Sequence, residues 1–181
     1  MRTVIPVNSV DLLLHPVRLR VVQAFLGDRT LTTGELRAEL PDIPQATLYR
    51  HVGILAGAGV LEVADERKVR GAAERSYRLV VEAASVSPDE LAGMTADDHR
   101  RAFTTFVAAL LADFDRYLDR GEPDLLRDGV GYRQVGLWLT EEEVGELAAE
   151  LRGVLRDRLA NQPGGGRRRR LVSLVQLPAE N

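Results

Sequence analysis

Gln45, Thr47, Tyr49, Arg50 and His51 crowd into one short stretch of the chain. A Gln amide offers a donor and an acceptor that match adenine, and an Arg fork matches guanine. Leu48, Val52 and Leu55 run through the same stretch at i, i+4 and i+7, the spacing of one inward helical face. The polar and aromatic set lies mainly off that stripe. Residues 44–57 therefore read as a helix whose first two turns display base-reading groups. Pro44 suits the first helical position, where a missing N–H costs nothing. Alone, this pattern also describes an ordinary amphipathic surface helix, so the flanks must decide. A second cluster, Arg67, Lys68 and Arg70 with Arg75 nearby, sits in a charged turn and has the chemistry to grip phosphates.

The elements needed to hold these groups can be read on either side. A first helix is expected from about Pro16 to Leu26, with Val17, Val21, Ala24 and Phe25 inward. Thr32-Thr33-Gly34-Glu35 has the form of a capping box and predicts a second helix to about Leu40. Pro41-Asp42-Ile43 is then a short turn, and two helices joined so briefly are the helix-turn-helix signature. After Gly57-Ala58-Gly59, Val60 to Val63 reads as a strand and Glu74 to Val81 as its return, with the basic cluster at the tip. A hairpin in that place is the wing of a winged helix. Residues 3–7 could add a short edge strand, since Pro6 forbids a central position. Ser9 can cap a short helix through Leu14.

Leu14-His15-Pro16-Val17-Arg18-Leu19-Arg20-Val21-Val22, Gln45 through Val52, and Leu55 through Leu61 together resemble the winged-helix domain of ArsR-type transcriptional regulators. The resemblance covers residues 14–79. It implies a dimeric, usually repressing, operator-binding protein with a dimerising helix after the wing. Two departures stand out. The founding members sense metals through Cys ligands, and this chain has no Cys. Tyr49 stands where the family commonly has a small polar residue. His51 is open to two roles, touching a phosphate or packing within the domain.

The second half has its own punctuation. Ser87-Pro88-Asp89-Glu90 and Thr95-Ala96-Asp97-Asp98 are helix starts. The longer helix, 95–120, ends at Gly121 and Pro123. Its Phe103, Val107, Leu110, Phe114 and Tyr117 step by 4, 3, 4 and 3, a coiled-coil seam. One side could meet its own domain and the other a second subunit. Residues 131–139 read as a strand, Thr140 to about Leu159 as a capped helix, and 171–177 as a final strand. Two strands make a poor sheet, so they would need a third from residues 3–7, the wing or a partner subunit. Arg167 to Arg170 could hold phosphates, but such a charge run reads first as a solvated strand entry. Tyr117, Tyr132 and Trp138 are candidates for a small-molecule effector pocket, or for core.

Composition narrows the classes. With no Cys, disulfides, thiolate metal sites and Cys nucleophiles are excluded. Asp97, Asp98 and His99 are the nearest thing to a metal set, but adjacent residues point to different helix faces. No metal and no cofactor are expected. No Walker loop, G-x-G-x-x-G run or nucleophile–base pair at a family spacing is present, so an enzyme is not expected. No apolar run is long enough for a membrane span, and a cytoplasmic protein is the default. Net charge is −3, yet residues 1–81 carry 11 basic and 9 acidic side chains and residues 82–181 carry 13 and 18. A mildly basic head and an acidic body fit a nucleic-acid reader joined to a partner or sensor domain. The expected fold is mainly α with small β, an α+β chain. Residues 1–82 would form a winged helix-turn-helix, and 83–181 a dimerisation and effector domain with a long helix and a strand-helix-strand unit. The expected partner is double-stranded DNA, read as a homodimer through helix 95–120. The alternative is a winged-helix protein-interaction module that does not read DNA.

Overall fold

The computed structural model describes residues 10, 14–69, 72–162 and 164–179. The elements are α1 (Pro16–Phe25), β1 (Thr30–Thr32), α2 (Thr33–Glu39), α3 (Gln45–Gly57), β2 (Leu61–Val69), β3 (Ala72–Leu79), α4 (Pro88–Ala92), α5 (Ala96–Leu118) and α6 (Glu141–Leu159). The fold is α+β, with one three-stranded antiparallel sheet of order β1-β3-β2 among the described residues. Residues 3–7 and Ser9, where an edge strand and a cap were expected, lie outside the described residues.

The helix starts follow local chemistry. Thr32 Oγ1 accepts from the Glu35 N–H at 3.2 Å, and the Glu35 carboxylate accepts from the Thr32 N–H at 2.8 Å. Reciprocal boxes of the same form open α4 at Ser87, α5 at Thr95 and α6 at Thr140. Each satisfies two N–H groups that a helix start leaves orphaned. Pro44 stands one position earlier than expected, as the residue before α3, and its carbonyl accepts from the Leu48 N–H at 2.9 Å. At the far end, the Gly59 N–H reaches the Ala56 carbonyl and the Val60 N–H the Leu55 carbonyl. This six-to-one and five-to-two pair is a Schellman ending, and it needs the φ of +75° that Gly59 supplies.

β1 was not foreseen. Three residues are too few for an alternating pattern, yet Leu31 pairs with Tyr77 and Thr32 with Ser76. Thr32 therefore ends a strand and caps a helix at once, so α2 is fastened directly to the wing. β2 and β3 pair from Leu61 with Leu79 out to Val69 with Ala72, with a bulge between Val63 and Asp65.

By compactness the chain divides into two units, residues 1–123 and 124–181. The expected boundary after residue 82 follows the motif; the compact first unit extends past it because α5 packs on α1. The core of the first unit joins Val21 and Phe25 of α1, Leu36 of α2, Leu48, Val52 and Leu55 of α3, Leu31 and Leu61 of the sheet, and Val60 just before β2. Each is 5% exposed or less. The inward stripes expected for α1, α2 and α3 supply most of it.

The second unit differs from expectation. Residues 131–139 and 171–177 form no strand, and no described residue of 124–179 is buried. The stripe expected to be inward on α6 is only partly covered: Val144, Leu147, Ala148 and Leu155 are half-buried, whereas Leu151 is 37% and Leu159 74% exposed. A strand also needs an edge to pair with, and the described residues of this unit offer none.

Candidate nucleic-acid interface

α3 is held against α1, α2 and β2 by its buried stripe, which leaves its other face in solvent. The turn before it is clamped. Arg20 of α1 donates two hydrogen bonds to the Asp42 carboxylate, at 2.6 and 2.8 Å, while Ile43 plugs into the core. The Arg20 guanidinium holds the Asp42 carboxyl below its usual range. Arg29 bridges similarly to Glu39 at the end of α2, with a further bond to the Ala24 carbonyl. The first fork ties α1 to the turn before α3 and the second ties the loop after α1 to the end of α2, each with bidentate geometry.

Gln45, Tyr49 and Arg50 stand exposed on the solvent face of α3, and Thr47 is half-buried. They are already ordered. Arg37 of α2 donates to the Gln45 side-chain oxygen at 2.9 Å, and the Gln45 amide donates to the Tyr49 hydroxyl at 3.1 Å. Arg37 escaped the sequence reading. Its signal was only a cation on the exposed face of the preceding helix, which is commonplace. With Arg37 the surface presents a short hydrogen-bonded row of donors and acceptors across two helices.

His51 is corrected. It is 3% exposed, so its packing role stands and a phosphate contact is ruled out by burial. Its ring lies 4.3 Å from that of His15, centre to centre. Its Nε2 is 3.2 Å from an Arg50 guanidinium nitrogen. Arg can only donate, so Nε2 accepts and the ring proton belongs on Nδ1. Burial, then the charges of His15, Arg50 and Arg18, push the His51 pKa down to about 4. His15 is lowered too, first by burial and then by Arg18. His51 thus acts as a neutral acceptor that steadies Arg50 from beneath.

The wing is less basic than its tip suggests. Arg67 pairs with Asp65 at 2.6 Å, Arg75 with Glu66 at 2.7 Å and Arg78 with Glu62 at 2.5 Å. Lys68 forms no ion pair among the described residues and is exposed. Arg70 lies outside the described residues. Arg168 and Arg170, from the arginine run of the second unit, turn toward Asp128 and its carbonyl. Among the described residues no group of three His, Asp or Glu side chains could hold a metal. Asp98 is engaged as the capping acid of α5 and by Arg101, and Asp97 pairs with Arg100. Tyr132 and Trp138 line no enclosed pocket; they are 83% and 87% exposed.

Residues 13–64 match a helix-turn-helix domain. This stretch carries a helix-turn-helix. It runs from the residues before α1 to the start of β2, and so includes both forks and the whole of α3. A comparison with curated proteins finds no match. The helix-turn-helix, followed by the β2–β3 hairpin, supports a winged helix-turn-helix regulator. Among the described residues no helix is long and apolar enough to cross a membrane.

Proposed function

We propose that this chain is a transcriptional regulator that binds double-stranded DNA as a homodimer and represses from an inverted-repeat operator. The observation that carries the reading is the exposed, pre-ordered row Arg37, Gln45, Tyr49 and Arg50 on the outer face of a helix-turn-helix. In this docking α3 enters a major groove with its N-terminal residues against base edges, and Lys68 and Arg67 meet flanking phosphates. The resemblance to ArsR-type regulators supports repression and dimerisation. So does α5. Thr105 and Ala109 are buried where α5 packs in its own unit, while Phe103, Val107 and Leu110 of the seam are 41–46% exposed. A two-fold pair of such helices would set two copies of α3 about one DNA turn apart. The reading assigns the chain no reaction, cofactor or metal, and names no effector.

The test is titration of the full chain onto its own upstream DNA and a random duplex at two salt concentrations. Selective binding that weakens steeply with salt is expected. Arg50→Ala should cost about 1–3 kcal/mol on the selected duplex and relax one base-pair preference. Lys68→Ala should weaken every duplex alike. Equal, weak binding to both duplexes at low salt would overturn the reading. It would favour the alternative, a winged-helix module that docks a protein, which the internal ion pairing of the wing favours.

A further inference from the structure

We infer that Arg37 and Tyr49 lock the Gln45 amide in one of its two orientations, and that the locked amide selects adenine at one position of the DNA. The inference deepens the DNA-binding reading above and rests on it. It gives positioning roles to two side chains and names the base that a third selects.

The lock follows from which groups can donate. Arg has donors only, so the atom it meets must be the Gln45 oxygen. That contact, from Arg37 Nη1 to Gln45 Oε1, is 2.9 Å. The amide nitrogen is then turned to the other side, where it donates to the Tyr49 hydroxyl oxygen at 3.1 Å. A half-turn of the amide would set its N–H groups against the guanidinium, donor against donor. A free Gln amide rotates broadly about its last torsion; here one orientation is excluded. Tyr49 lies one turn after Gln45 on the same helical face, the spacing at which side chains meet. Both partners stand on fixed ground. Leu36, next to Arg37, and Leu48, next to Tyr49, are packed in the core.

What remains of the amide defines the base. Arg37 takes one lone pair of the oxygen and Tyr49 takes one N–H, which leaves one acceptor and one donor on fixed sides. The major-groove edge of adenine offers the N6–H donor and the N7 acceptor, the complement of that pair. Where adenine has N6–H, guanine has the O6 acceptor, which the locked oxygen meets unfavourably. Thymine offers an acceptor and a methyl group, and cytosine a donor. A free amide can turn to give one bond to each of these, whereas the locked amide satisfies both of its groups only on adenine. Ordering the amide in advance also removes the cost of ordering it on binding. Gln45 opens α3, where a helix-turn-helix brings its base-reading groups.

The experiment lets the purified full chain select duplexes from a randomised pool. Binding is then measured on the selected duplex with each base pair substituted in turn. The wild type is expected to prefer adenine at one position by about tenfold, the worth of a bidentate pair. Gln45→Ala should lose that preference. Tyr49→Phe and Arg37→Met should lose it at the same position, since each removes one side of the lock. Arg37→Lys, which also can only donate, should keep it. The readout is a ratio between duplexes, so a uniform loss of phosphate contact or of stability cancels. Loss in Gln45→Ala with retention in either Tyr49→Phe or Arg37→Met would overturn the inference and leave the DNA-binding reading standing. So would loss in Arg37→Lys, a Gln45-dependent preference for another base, or selective binding that Gln45→Ala leaves unchanged. A wild type that enriches no sequence would overturn both.

Discussion

The helix-turn-helix and the stretch after residue 124 both use leucine and valine at regular spacing, but only one of them folds around these residues. In the first unit Leu48 and Leu55 are 0% exposed and Phe25 is 1%. In the second, Leu126 is 94% exposed and Leu177 69%. The capping chemistry is the same on both sides: Thr32 and Thr140 form identical reciprocal boxes. Caps and periodicity start helices, and they do not decide whether a helix finds a neighbour. In the first unit the neighbours come from the same chain, through turns clamped by Arg20 with Asp42 and Arg29 with Glu39. In the second, no described side chain is buried.

The contrast can be broken most forcefully in the core. Leu48→Ala should destabilise the first unit by about 2–5 kcal/mol, read as a lower urea midpoint, because it leaves a cavity in packed surroundings. Leu137→Ala should leave that transition within about 0.5 kcal/mol. Equal losses would mean that Leu137 is part of the same core. Acid provides the next largest effect. His51 lies in the first unit, so its protonation reports on that unit. The folded pKa of His51, about 4, lies below its ordinary value of 6.5. The stabilisation is therefore fully present above 6.5 and is lost as pH falls toward 4. Between pH 7 and pH 5 the loss should be about 2 kcal/mol, and His51→Gln should flatten that part of the pH profile. An unchanged slope in the variant would remove His51 as its source.

The smallest effect compares the two caps. Thr32→Ala should cost about 1 kcal/mol of cooperative stability. Thr140→Ala should reduce helical circular dichroism without shifting the main transition. A shared shift would show that the two units unfold together.

Much of the first unit was legible in the sequence because its signals are local. A capping box spans four residues, and the Leu48, Val52, Leu55 stripe a little over two turns. The hairpin of β2 and β3 announced itself by its turn. What escaped is non-local. β1 is defined only by Tyr77 and Ser76 across the sheet. The contact between His15 and His51 joins rings far apart in sequence, and it converted a candidate phosphate ligand into a buried support for Arg50. The pairing of wing arginines with wing carboxylates likewise depends on strand register. In the second unit residues 131–139 and 171–177 were read as strands and form none, since pairing is a property of two edges.

Thr32, which ends β1 and caps α2, has a mechanical meaning. Its backbone pairs with Ser76 of the wing while its hydroxyl accepts from the Glu35 N–H in the first turn of α2. No free hinge separates wing from helices, so the two travel as one lever. A signal that released such a module from DNA could not fold the wing aside and leave α3 in its groove. On the proposed homodimer reading it would have to alter the spacing or tilt of whole modules, and the transmission of that signal would lie in the joint between copies, outside the helix-turn-helix and its wing.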